Sequence, residues 1–163
     1  MKSFKFYLDA SNYFLNVENY YKLNKDEKEY NHISAVLLAW ASLEAYINAL
    51  CDSLSKGKRL KDNQLAFLNE VEFYISDEGC IKEKTSRPPT CKKILFLLQN
   101  FSNKNVKEFK QTNLWNRIKS FEELRNSILH YKEKRDVNIS LKKARESRDI
   151  TKEAINFFNK IFR

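Results

Sequence analysis

Residues 31–57, Asn31 to Gly57, read NHISAVLLAWASLEAYINALCDSLSKG. Ile33, Leu37, Trp40, Ile47, Cys51 and Leu54 fall on one stripe at three- and four-residue steps, with Val36, Leu43 and Leu50 beside it. That period is helical. Asn31 is a suitable N-cap, and Gly57 is placed to end the helix. One residue breaks the stripe. Glu44 stands four after Trp40 and three before Ile47, so it faces the core side.

The same period recurs on both sides. Residues 4–22, with Phe4, Leu8, Phe14, Val17 and Tyr21, predict an aromatic-rich amphipathic helix, followed by a charged hinge over 24–29. A third helix is expected from Asp62 or Asn63 through Leu65, Leu68, Val71 and Ile75, then a loop from Ser76 to Pro89. Thr90 is the candidate cap of a short helix carrying Ile94, Leu97, Leu98 and Phe101, and 103–111 reads as irregular with a helical turn or two. A fifth helix begins near Thr112 or Asn113 with Leu114, Ile118, Phe121, Leu124 and Ile128 on its stripe. Arg125 lies inside that stripe, opposite in sign to Glu44. Ser140 is the expected N-cap of a last helix with Leu141, Ala144, Ile150, Ile155, Phe158 and Ile161. No segment demands a strand. The expectation is an all-α protein, an up-and-down helical bundle of five to six helices, as a single domain over residues 1–163.

Composition agrees. The chain has 163 residues, 42% hydrophobic and 13% aromatic, enough to bury a core. Only 2 Gly and 2 Pro are present, and Gly57 and Gly79 stand alone, so phosphate-cradling glycine loops and turn-rich all-β folds are excluded. The 3 cysteines, at 51, 80 and 91, have no histidine near them and form no zinc-ligand spacing. No metal site and no cofactor are expected, and the thiols read as reduced. An acid, Asp9, interrupts the N-terminal region before a signal peptide's apolar run, and no stretch nears 18 uninterrupted apolar residues. The expectation is a cytoplasmic protein with no membrane contact.

Charge is uneven. Lys+Arg number 30 and Asp+Glu 21, a net of +9. Residues 1–103 contribute 14 and 13, a net of +1; residues 104–163 contribute 16 and 8, a net of +8. A basic surface of this kind attracts polyanions, nucleic acid above all, although a Lys-rich solvated face has the same composition. No basic recognition helix with helix-turn-helix spacing stands out, so DNA binding is the weaker reading.

Glu44 and Arg125 interrupt two apolar stripes, which points to an ion pair, to an Arg125 facing an anion-binding cleft, or to stripe-edge residues that reach water. Arg125 opens the run Arg125-Asn126-Ser127-Ile128-Leu129-His130. Asn126 and His130, four apart, share a helix face, whereas Arg125 and His130 are about 140° apart around a helix. One helix does not converge both groups on one atom; a second copy of the helix would complete the site. Histidine moves protons near neutral pH, and arginine stabilises phosphate charge. With RNA, the 2′-hydroxyl is the nucleophile and no metal is required.

This run resembles the signature of the HEPN superfamily: Arg, a polar residue, three further residues, then His. The run-in Leu114 to Leu124, the stretch Ala39 to Asn48 and the last helix from Ser140 to Ala144 are similar too. The resemblance implies a small helical bundle, a homodimer with both motifs at its interface, and metal-independent endoribonuclease activity of a toxin or phage-defence kind. It also implies the alternative, since some members are inactive adaptor or dimerisation modules. The roles implied are His130 as general base or acid, Arg125 as phosphate ligand, Asn126 as the orienting group and Glu44 as support for Arg125. Tyr131 is a candidate to stack on a base, and Lys132, Lys134 and Arg135 to hold neighbouring RNA phosphates. An antitoxin partner, such as a nucleotidyltransferase, fits the toxin reading. His32 has no such context and reads as an ordinary residue of the second helix.

Overall fold

The computed structural model describes residues 3–57, 60–130 and 139–162. Seven helices follow one another: α1 Ser3–Asn16, α2 Lys25–Gly57, α3 Asp62–Leu68, α4 Thr90–Phe101, α5 Val106–Lys110, α6 Asn113–Leu129 and α7 Leu141–Ile161. A 3₁₀ turn, Val17–Asn19, ends α1 early, so the helix expected through residue 22 stops at Asn16. The protein is mostly helical, with one two-stranded sheet among the described residues, β1 Val71–Ile75 and β2 Ile81–Thr85.

α2 is the spine. It starts at Lys25 rather than near Asn31, because Asn24 and Glu27 form a reciprocal capping box inside the stretch expected to be a hinge. Glu27 N–H donates to Asn24 Oδ1 at 2.9 Å, and Asn24 N–H donates to Glu27 Oε2 at 2.8 Å. α1 packs antiparallel on α2: Ser11 Oγ donates to the Ala35 carbonyl and Ser42 Oγ to the Phe4 carbonyl, each at 2.8 Å. α7 runs parallel to α2. Thr151 Oγ1 donates to the Ala39 carbonyl at 3.0 Å, and Tyr46 Oη donates to Asn159 Oδ1 at 3.0 Å. Small hydroxyls at these crossings satisfy themselves on the neighbouring backbone and let the helices approach.

All seven helices contribute to one apolar cluster, in which Leu43, Ile47, Ile94, Leu97, Leu98, Ile118 and Phe158 are fully buried. Trp40 of α2 meets Phe121 of α6 edge-on, with ring centroids 5.1 Å apart. By length and composition α2 is apolar enough to cross a membrane, with mean hydropathy 1.5 over 18 residues, although Glu44 and several polar residues interrupt its apolar run. In this fold its apolar stripe is the packing surface for α1, α4, α6 and α7.

The hairpin corrects the reading of 62–75 as one helix and of 76–89 as a loop. α3 ends at Leu68, and Glu70 then takes φ 58°, which turns the chain out of the helix. Val71, Phe73, Tyr74 and Ile75 have β-branched or aromatic side chains that suit a strand. Gly79, at φ 75°, supplies the left-handed residue of the turn, where its N–H donates to the Ser76 carbonyl at 2.8 Å. Val71 pairs with Thr85 and Ile75 with Ile81.

The caps expected for the last two long helices are present. Thr112 Oγ1 accepts from Trp115 N–H at 3.2 Å, and Ser140 Oγ from Lys143 N–H at 3.3 Å. Thr90 is the first residue of α4 rather than its cap, which is Pro89.

Candidate functional site

Three helices place side chains one turn apart around one cleft of about 540 Å³. α2 gives Trp40, Glu44 and Asn48, at four-residue steps; α6 gives Glu122, Arg125 and Asn126; α4 gives Thr90 and Lys93. Glu70 and the Arg87-Pro88-Pro89 segment close the remaining side. The two stripe-breaking charges, Glu44 and Arg125, therefore line the same cleft. They break their stripes because each stripe meets a polar cavity at that point rather than another apolar surface.

They do not form the expected ion pair. Arg125 Nη1 donates instead to Asn126 Oδ1 at 3.0 Å. The ion pairs of the cleft belong to other residues. Lys93 is buried, and its Nζ donates to Asn48 Oδ1 at 2.7 Å and to Glu70 Oε1. Lys119 Nζ donates to Glu122 Oε2 at 2.6 Å, and this bond raises the lysine's pKa above the usual lysine range. Three cationic and three anionic side chains line the cleft, so its formal charge balances. Among the described residues, Glu44, Arg87 and Arg125 have no ion-pair partner.

His130 lies elsewhere. It is the exposed C-cap of α6, and its N–H donates to the Asn126 carbonyl at 2.9 Å. A histidine there also suits the negative end of the helix dipole. The cleft takes Arg125 and Asn126 but not His130, which stands one turn beyond Asn126, past the end of the helix. Tyr131, Lys132, Lys134 and Arg135 lie outside the described residues.

Lys93, Glu70, Asn48, Arg87 and Glu122 were not among the residues expected from the sequence. Lys93 carried the same signal as Glu44: it stands three after Thr90 and four before Leu97, inside an apolar face. Glu70 was hidden by the hairpin. Its side chain reaches Lys93 from a left-handed backbone, so turn geometry and the buried pair are linked at one residue.

Two thiols lie next to these charges. Burial pushes the Cys51 thiol up to about 11 and the Cys91 thiol up to about 12, with the Glu122 charge adding to the second. Both are protonated and unreactive at neutral pH. Among the described residues no three of His, Cys, Asp and Glu group closely enough to hold a metal ion.

His32 is buried in the second turn of α2. Its Nδ1 lies 2.8 Å from the Ile139 carbonyl and its Nε2 2.8 Å from Glu18 Oε1. It ties α2 to the residue just before Ser140, the cap of α7.

Comparisons of the chain with known protein families, curated proteins and solved structures find no match.

Proposed function

We propose that this protein is a metal-independent endoribonuclease of the HEPN type, a cytoplasmic toxin or phage-defence component acting as a homodimer. The observation that carries the reading is Arg125: a guanidinium with no carboxylate partner among the described residues, lining an open cleft five residues before an exposed histidine on the same helix. A guanidinium in that state is suited to a phosphate.

In this reading RNA brings its own nucleophile. His130 takes the 2′-hydroxyl proton as the oxygen attacks the adjacent phosphorus. The bond from phosphorus to the 5′-oxygen breaks, and that oxygen takes a proton from solvent water as it leaves. Arg125 stabilises the charge on the phosphoryl oxygens, and Asn126 holds the guanidinium in place. Because Arg125 and His130 face different ways, His130 of a second copy completes the site across a two-fold axis. The helices then form a HEPN-like bundle, and an antitoxin such as a nucleotidyltransferase is the partner expected for a toxin.

The test is product chemistry. Single-stranded RNA incubated with the purified protein in EDTA should give 2′,3′-cyclic phosphate or 3′-phosphate ends and 5′-hydroxyl ends. Cleavage that requires added Mg²⁺, or leaves 5′-phosphates, would overturn the mechanism.

A second reading, a non-catalytic adaptor, is favoured by a different feature. Phe73, Ile75 and Ile81 lie exposed on the hairpin, a surface suited to a protein partner.

A further inference from the structure

The unpaired charges of the cleft have a pattern. Glu70 is neutralised by Lys93 and Glu122 by Lys119. What remains is one carboxylate, Glu44, and two guanidiniums, Arg87 and Arg125. Glu44 is half-buried and has no hydrogen-bond partner among the described residues. A free phosphate would satisfy the arginines and face Glu44 with repulsion. A cationic ligand would satisfy Glu44 and be repelled by the arginines. A ligand that carries an anion and, apart from it, neutral N–H donors answers all three.

We propose that this cleft takes a guanine nucleotide of the RNA, with Glu44 accepting from N1–H and N2–H of the base while Arg87 and Arg125 hold its phosphate. The base follows from donor geometry. Guanine presents two N–H groups side by side, matching the two oxygens of a carboxylate. Adenine and cytosine present one amine beside a ring-nitrogen acceptor, which would repel the second oxygen. Uracil's single N–H sits between two carbonyls. The cleft volume of about 540 Å³ lies within the usual range for small-ligand sites, roughly 300–1,000 Å³. Glu44 is thus a specificity residue rather than a brace for Arg125. The proposal deepens the ribonuclease reading and rests on it for the claim that the nucleotide is part of an RNA chain.

Binding and cleavage separate the two. The four ribonucleoside 3′-monophosphates are titrated into wild-type protein and into Glu44→Gln by calorimetry, with circular dichroism as the check on folding. Glutamine offers one acceptor and one donor, so it loses the paired acceptance. Guanosine 3′-monophosphate should bind wild type about 10-fold or more tightly than the other three, and Glu44→Gln should lose that preference while still binding. Cut sites in a single-stranded RNA of mixed sequence should fall beside guanosine in wild type and spread to other bases in the variant. Equal binding of all four nucleotides by wild type, or a guanosine preference unchanged in Glu44→Gln, overturns the proposal. Guanosine-selective binding that depends on Glu44, with no RNA cleavage, upholds the pocket and removes the ribonuclease reading. Cleavage without base preference does the reverse.

Discussion

Lys93 shows how one buried side chain organises the cleft. Its ammonium is removed from water and holds Asn48 and Glu70 at once. Lys93→Ala should leave the Glu70 charge and the Asn48 carbonyl uncompensated. Removing one partner of a fully buried pair costs about 3–5 kcal/mol; Glu70 reaches solvent, so about 2–3 kcal/mol is expected, measured by urea unfolding. His32 gives a second test. The Ile139 carbonyl can only accept, so His32 Nδ1 donates to it. His32→Ala strands the Ile139 carbonyl and should cost about 1–3 kcal/mol by the same measurement. The thiols supply a third. Cys80 is exposed while Cys51 and Cys91 are buried and held at about 11 and about 12. A thiol reagent at pH 8 should modify one cysteine in the folded protein and three after unfolding. Because the two buried thiols bind their protons more tightly folded than unfolded, their contribution is complete below pH 9 and is lost as pH rises toward 11 and 12.

At the scale of elements, the long helices were legible because each carries a stripe and a cap: Thr112 before α6 and Ser140 before α7. The start of α2 was legible in principle. Asn24 and Glu27 have capping-box spacing, but they lie in a run of charges that reads equally as a hinge. The hairpin was not legible. Val71 and Ile75 are four apart and continue the Leu65–Leu68 period, so they fit a helix as well as a strand. β2, Ile-Lys-Glu-Lys-Thr, has no apolar alternation because it lies in solvent on both faces. Of the site, Arg125, Asn126 and Glu44 were found as charges or amides in stripes and a motif; Arg87 and Glu70 belong to the hairpin's two ends and fell with it. The capping box carries its own prediction. Asn24→Ala should lower stability by about 0.5–2 kcal/mol, read from the unfolding midpoint.

For the whole molecule, the separation of the Arg125 cleft from the exposed His130 is what calls for a second copy. Sedimentation at micromolar concentration should therefore return about twice the chain mass of 19.4 kDa. A strict monomer would remove the composite site. The claim that His130 moves the proton is tested most directly by one comparison: cleavage of single-stranded RNA in EDTA by wild type and by His130→Ala, each purified free of contaminating nuclease. His130 is exposed at the end of α6, so its replacement should leave stability within about 0.5 kcal/mol. A rate lower by about 10²–10⁴ is expected of the variant. Equal cleavage by the two proteins would contradict a catalytic His130.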